Sequence, residues 1–145
     1  MIPSLIGLAV MIAVSRSSDR RLERRYHVAI SAFVSALALL LLGTTSSPFL
    51  SVTLLCLVAS GVFSCIGPFW ALPSEFLTGY AAAAGIALIN SVGNLGGFVA
   101  PVAIGFVTER SGTLSAGLAL AAVPVFIAAT LVLLLPRKVR RSAEA

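Results

Sequence analysis

The sequence has few charged side chains, and its long apolar stretches contain none in their middle. Only 10% of the 145 residues are Asp, Glu, Lys or Arg, whereas a soluble globular domain has about 25%. Hydrophobic residues make up 59% of the chain, and the mean hydropathy is +1.06. The apolar stretches are long enough for helices that cross a bilayer. We therefore predict an all-α integral membrane protein.

Residues that carry enzyme or metal chemistry are also scarce. The sequence has one histidine and two cysteines. Cys56 and Cys65 are nine residues apart in one apolar stretch, which on a helix separates them by about 13.5 Å along the axis, beyond disulfide reach. There is no phosphate-binding glycine loop and no nucleophile beside a base. We therefore expect no enzyme activity, no catalytic residue, no metal site and no cofactor.

The formal net charge of +5 comes mostly from two short basic clusters. Nine of the ten Lys and Arg residues lie between Arg16 and Arg25 or between Arg137 and Arg141. Both clusters flank apolar stretches, as the positive-inside rule describes. Such clusters attract anionic lipid headgroups weakly. The expected partner is thus the lipid bilayer and not a nucleic acid.

The predicted topology has one truncated helix and four full transmembrane helices. Residues 1–14 form the truncated helix, and the full helices cover residues 28–43, 49–72, 79–107 and 114–135. The segment 15–27 is predicted to be a basic cytoplasmic loop, and residues 136–145 a cytoplasmic tail. Four crossings after the first basic cluster place the second cluster on the same side of the membrane, as the positive-inside rule requires.

The helix predicted over residues 79–107 has two amides in its middle. Asn90 and Asn94 lie one turn apart and share a face. An unpaired amide in hydrocarbon costs about 2–7 kcal/mol, so this face is expected to look at protein or at a water-filled cavity. Gly93 and Gly97 form a GxxxG step that allows another helix to approach closely. Two interpretations stay open: a packing helix cross-linked by its asparagines, and a cavity wall that contacts a polar solute.

A second polar face lies on the helix predicted over residues 49–72. Ser60 and Ser64 share it with other small residues, Thr53, Cys56 and Gly67. Serine hydroxyls in membrane helices often bond to their own backbone, and small side chains favour close packing. The alternative is a cavity wall that meets the asparagine face. The candidates for a substrate cavity are therefore Asn90, Asn94, Ser60 and Ser64.

Three motifs in the chain resemble one transporter family. SDRRLERRYH, from Ser18 to His27, resembles the cytoplasmic loop between helices 8 and 9 of major facilitator superfamily transporters. The similarity is to the anion:cation symporter branch, which includes tartrate, phthalate and sugar-acid permeases. GPFWALP, from Gly67 to Pro73, and GIALINSVGNLGGFVAP, from Gly85 to Pro101, are similar to helices 10 and 11 of that branch. The resemblance covers the whole chain and assigns residues 1–14 to the end of helix 8.

The resemblance implies transport of a small organic anion with a coupling proton. Two six-helix halves would rock around a substrate site near the midplane, in a bacterial inner membrane. Helices 8, 10 and 11 would contribute to the cavity or to the interface between the halves, and helices 9 and 12 would be peripheral. The charged loop would act as a gate, in which Asp19, Arg20, Arg24 and Arg25 pair with helix ends when the cytoplasmic side closes.

The resemblance also implies that the N-terminal half of the transporter, helix 7 and most of helix 8 are missing. The leading hypothesis is therefore the C-terminal part of a longer transporter. The alternative is a truncated or split-gene membrane protein with a structural or assembly role and no transport activity alone. A third hypothesis is a compact exporter that dimerises. Such an exporter is expected to carry a carboxylate within the membrane, and the predicted spans have none in their middle.

Overall fold

The structure is a computed structural model that describes residues 1–135, and it consists of helices joined by short turns. In order these are α1 (Ile2–Arg21), α2 (Arg24–Leu42), α3 (Pro48–Ala71), α4 (Pro73–Phe76), α5 (Gly79–Ser111) and α6 (Leu114–Leu134). All of them except the short α4 are long and apolar enough to cross a membrane. The predicted all-α membrane fold is confirmed. The tail predicted over residues 136–145 lies outside the described residues.

The largest difference from the predicted topology concerns the basic segment 15–27. The structure reduces the predicted loop to Leu22 and Glu23, because α1 continues to Arg21 and α2 begins at Arg24. The segment contains neither glycine nor proline, and arginine is a good helix former when its charge lies in water. The truncated helix predicted over residues 1–14 becomes a helix of 20 residues. The charges thus mark where the apolar part ends, while the helix itself runs on.

A left-handed residue ends α1 and reverses the chain. Leu22 has φ 51°, which is uncommon for a residue with a side chain. The N–H of Leu22 donates to the Asp19 carbonyl at 3.4 Å, and the N–H of Glu23 donates to the Ser18 carbonyl at 3.3 Å. This pair of bonds satisfies carbonyls that the last helical turn leaves open. Two arginines in that turn also offset the partial negative charge of the helix end.

Close contacts between helix backbones place α3 between α1 and α2. A Cβ added at Gly61 of α3 would lie 2.5 Å from the Ser31 carbonyl oxygen and 2.7 Å from the Ser35 Cβ, both on α2. A Cβ added at Gly7 of α1 would lie 3.1 Å from the backbone of Ala59 on α3. Only glycine allows this spacing, which is typical of helix pairs in membranes. We refer to α1, α2 and α3 as the packed unit; α6 packs against α2 at its edge.

The interior of this assembly is made of small side chains. Alanines dominate the buried apolar residues, and the buried polar residues in the part of the chain that the structure describes are all serines: Ser18, Ser31, Ser35 and Ser64. Most of the large apolar side chains are exposed instead, with Leu54 and Leu72 among the exceptions. In a bilayer the exposed side chains contact lipid or other protein, so burial of large apolar residues does not drive the association of the helices.

The helix α5 differs from the others because none of its residues is buried. Near its C-terminal end it packs against α6, where Ile104 and Thr108 contact Gly117. It also contacts the short α4. It continues through Pro101 and ends four residues beyond the predicted Val107, before Gly112 with φ 68°. Most of its length, including its polar middle, therefore remains open.

Candidate functional site

The asparagines predicted to line a cavity lie on the open part of α5. Asn90 and Asn94 are both exposed, and within the described residues neither amide makes a hydrogen bond. A Cβ added at Gly93 or Gly97 would meet nothing within 4 Å. By contrast, Ser91 donates to the Ala87 carbonyl of its own helix at 2.9 Å. This face therefore has polar groups and space for close approach that the described residues do not use.

The serines predicted to meet that face have different surroundings. Ser64 is 1% exposed, and within the described residues its Oγ has no hydrogen-bond partner. Ser60 is half-buried. Neighbouring positions of α3 face α2, since Cys65 lies 3.5 Å from the Val28 carbonyl. Of the two interpretations of this face, close packing describes Ser64 in this structure.

The structure does not bring the four cavity candidates together. The packing contacts of α5 are with α6 and α4, whereas Ser64 is enclosed by the packed unit. The assignment of Asn90, Asn94, Ser60 and Ser64 to one cavity therefore stays a prediction.

The charged residues predicted to form a gate lie together at the turn between α1 and α2. The guanidinium of Arg24 lies 3.8 Å from the Asp19 carboxylate, whose side chain is 73% exposed. An exposed pair of this kind contributes about 0–1 kcal/mol. Arg25 donates from Nη2 to the Leu133 carbonyl oxygen, in the last turn of α6. One predicted gate residue thus contacts a helix end, where a cation is favoured.

Arg20, the remaining predicted gate residue, is placed differently. Its side chain is exposed, and among the described residues it has no hydrogen bond or ion pair. It therefore does not contribute to the contacts between helix ends in this structure.

A histidine contact at this turn was not found by sequence reasoning. The Nδ1 atom of His27 lies against the Glu23 carbonyl, and Nε2 lies 3.2 Å from the Ser17 Oγ. Because a carbonyl oxygen only accepts, Nδ1 carries the proton in this contact. The spacing of four residues from Glu23 to His27 signals such a contact on a helix, but the segment was predicted to be a loop. His27 thus links the start of α2 to the end of α1.

Within residues 1–135, no group of three or more His, Cys, Asp or Glu side chains lies close enough to hold a metal ion.

Comparison with known proteins identifies the family. The model of the Major Facilitator Superfamily matches residues 1–101. The chain belongs to the major facilitator superfamily. The members of this family are membrane transporters, and the five long apolar helices of the chain indicate a multi-pass membrane protein.

Curated relatives in this family carry transporter names. The chain is 45% identical over 117 residues to a quinolone resistance transporter of Acinetobacter baumannii, covering 81% of this chain and 27% of the relative. It is 38% identical over 143 residues to a putative tartrate transporter of Agrobacterium vitis, covering 99% of this chain and 32% of the relative. It is 36% identical over 142 residues to the putative metabolite transport protein NicT of Pseudomonas putida.

The extent of these matches limits what they say about the whole protein. The chain spans between about a quarter and a third of the length of the curated relatives it matches. No solved structure matches it.

Proposed function

We propose that this chain is part of a longer transporter that moves small organic anions across the bacterial inner membrane by proton symport. Two halves of such a protein alternate in opening a midplane site to each side. The basic segment 15–27 and residues 136–145 lie on the cytoplasmic side in this proposal, by the positive-inside rule. The observation that carries it is the match to the putative tartrate transporter over 99% of the chain.

The open face of α5 supports this proposal because it offers neutral hydrogen-bond donors. Asn90 and Asn94 each carry two N–H donors that suit a carboxylate oxygen, and among the described residues neither is engaged. An amide left unpaired in hydrocarbon costs about 2–7 kcal/mol. In the membrane, we expect these amides to contact protein, water or the transported solute. Ser60 and Ser64 are further cavity candidates, and Ser64 is the more deeply buried of the two in this structure.

The turn between α1 and α2 is the proposed cytoplasmic gate. Arg25 holds the last turn of α6, and Arg24 pairs with Asp19. In an alternating-access cycle, these contacts would be made in one state and released in the other. Because an exposed ion pair contributes only about 0–1 kcal/mol, such a gate biases the two states without locking either.

A second candidate function is drug export. It is favoured by the 45% identity to the quinolone resistance transporter. Export and uptake share the same fold and the same alternating access, so the α5 face would line the pathway in both cases. The two candidates differ in the solute bound and in the direction of movement.

The test uses the full-length gene product, purified and reconstituted in liposomes. Under an imposed proton gradient, we expect uptake of labelled tartrate that stops when an uncoupler removes the gradient. Absence of any carboxylate uptake would contradict anion symport. Gradient-dependent movement of a labelled quinolone in the same liposomes would favour the second candidate instead.

A parallel measurement addresses the alternative role without transport. An antibody against residues 136–141 detects the native product in membranes of the source cell. A product about threefold heavier than the 14.9 kDa chain is expected if the chain is part of a transporter as long as its relatives. A product of 14.9 kDa that co-purifies with another membrane protein would favour an assembly role.

A further inference from the structure

Prolines inside the long helices remove hydrogen bonds from the backbone. Among the described residues, those beyond the first turn of a helix are Pro68 in α3, Pro101 in α5 and Pro124 in α6. Proline has no backbone N–H, so the carbonyl four residues before it loses its usual helical partner. The carbonyls concerned are those of Ser64, Gly97 and Leu120. Each of the three helices thus has one backbone acceptor that another donor can use.

The three carbonyls differ in how well the protein covers them. Ser64 is 1% exposed within the packed unit, and Leu120 carries a branched side chain beside its carbonyl. Gly97 is exposed, and a Cβ added at Gly96 or at Gly97 would meet nothing within 4 Å. No side chain of the described residues donates a hydrogen bond to the Gly97 carbonyl. This acceptor is therefore the least covered of the three.

The Gly97 carbonyl lies on the same face of α5 as the two asparagines. Asn94 precedes Gly97 by three residues and Asn90 precedes it by seven, so all three positions fall on one side of a helix with 3.6 residues per turn. Along the axis they are about 4.5 Å and 10.5 Å from Gly97. All three are close to the middle of this 33-residue helix. One open face thus presents amide donors and, about one turn further along, a backbone acceptor.

This combination of groups selects among small anions. A carboxylate only accepts hydrogen bonds, so it suits the amide N–H groups and is disfavoured beside the Gly97 carbonyl. A hydroxyl can donate to that carbonyl. An ammonium group could donate as well, but residues 79–107 contain no acidic side chain that would balance its charge. The set of donors and acceptor therefore matches a carboxylate with a hydroxyl on the neighbouring carbon.

We propose that the Gly97 carbonyl, released by Pro101, accepts a hydrogen bond from a hydroxyl of the transported solute and makes the site selective for hydroxy acids over unsubstituted carboxylates. This inference rests on the proposed function, because it assumes that the α5 face contacts the transported anion. The asparagines bind the carboxylate, and the backbone carbonyl recognises the hydroxyl. Pro101 acts through Gly97 and is a positioning residue.

The test uses the full-length gene product in the liposome uptake assay described above. Unlabelled malate and unlabelled succinate, which differ by one hydroxyl, compete separately with the uptake of labelled tartrate. We expect malate to inhibit at an about tenfold lower concentration than succinate, which corresponds to one hydrogen bond.

Pro101→Ala supplies the missing N–H, which should bond to the Gly97 carbonyl and occupy it. The ratio between the two inhibitory concentrations should then fall close to one. A change in helix bending alone would alter inhibition by both competitors equally, so the ratio separates recognition from a structural role. Pro101→Gly also supplies the N–H and should give the same loss, which keeps the test available if Pro101→Ala does not reach the membrane.

Pro124→Ala is the matched control in α6. It restores the same kind of backbone bond, to the Leu120 carbonyl, in a helix that carries no asparagine. The ratio between malate and succinate should stay near that of the unsubstituted protein.

Three results would overturn the selectivity while leaving anion symport in place. The first is equal inhibition by malate and succinate in the unsubstituted protein, which is also expected if another helix covers the carbonyl. The second is a preference for malate that persists in both Pro101 variants. The third is stronger inhibition by aspartate than by malate, which would assign the acceptor to an ammonium group. Absence of tartrate uptake would instead contradict the proposed function and this inference with it.

Discussion

The packed unit and α5 use their glycines in opposite ways. A Cβ at Gly61 would lie 2.5 Å from a carbonyl oxygen of α2, whereas a Cβ at Gly97 would meet nothing within 4 Å. Both glycines lie in helices that are long enough to cross a membrane. The difference shows that close helix approach is already achieved in the packed unit. At Gly97 of α5, no described residue approaches closely enough to need a glycine.

The polar side chains of the packed unit and of α5 also differ in whether they have partners. Ser35 is fully buried and donates to the Val58 carbonyl at 3.2 Å. Asn90 and Asn94 are exposed and have no hydrogen-bond partner among the described residues. A polar group of the packed unit thus joins two helices, while the two amides of α5 make no contact of this kind among the described residues. The predictions below test this contrast.

The largest effect is expected from Gly61→Leu. The new side chain would collide with the backbone of Ser31 and with Ser35, so α2 and α3 must separate. Overpacking of this kind typically costs about 1–3 kcal/mol, and contact with rigid backbone places Gly61 at the upper end. Unfolding of the chain by a denaturing detergent, followed by circular dichroism, measures the loss of stability.

Gly97→Leu is the matched control for that substitution. The same side chain enters open space on α5, so the unfolding free energy of this chain should change by less than about 0.5 kcal/mol. A comparable loss of stability at both glycines would mean that α5 is packed as tightly as α3. In a full-length transporter, reduced uptake by Gly97→Leu would show that another helix covers this face.

A smaller effect is expected from the α5 asparagines, measured as transport by the full-length product. Asn90→Ala and Asn94→Ala should each reduce tartrate uptake about tenfold below saturation, the equivalent of losing one hydrogen bond of about 1.4 kcal/mol. Ser91→Ala should keep normal uptake, because the Ser91 hydroxyl bonds to its own helix. Normal uptake and expression in both asparagine variants would favour the packing interpretation.

The smallest effect is expected from two buried serines of the packed unit. Ser35→Ala removes a hydrogen bond between α2 and α3 and should cost about 0.6 kcal/mol, the average for such bonds in membranes. Ser64→Ala removes a hydroxyl that lacks a partner within the described residues, so stability should be unchanged or slightly higher. A greater loss for Ser64→Ala, in the same detergent unfolding assay, would show that Ser64 has an essential partner.

Much of the fold follows from the sequence, but the ends of its helices do not. Apolar stretches predicted the long helices α2, α3, α5 and α6, because hydropathy is a local property of the chain, whereas α1 was predicted only as a truncated helix. The basic segment was misassigned as a loop, since arginines next to a span indicate the membrane boundary and say little about backbone conformation. The turn at Leu22 carries neither glycine nor proline, so it has no strong local signal. The His27 contact was missed as a consequence of that misassignment.

The candidate site was predictable in part for the same reason. The polar face of α5 follows from helical spacing alone, and the structure leaves that face open. Ser60 and Ser64 had the same small-residue pattern as a cavity wall, and the pattern cannot distinguish a wall from a packing face. The surroundings of Ser64 depend on which sides of α1 and α2 approach α3.

The sequence by itself determined that this protein lies in a membrane, where the four full spans after the first basic cluster lie, and which of its faces are polar. Those properties depend on transfer of local stretches from water to hydrocarbon. Only the tertiary structure decided that Gly61 and Ser64 are enclosed, that Gly97, Asn90 and Asn94 are open, and that two of five clustered arginines are engaged internally. Helices in a bilayer associate by close packing of particular faces, and that depends on residues far apart in the chain.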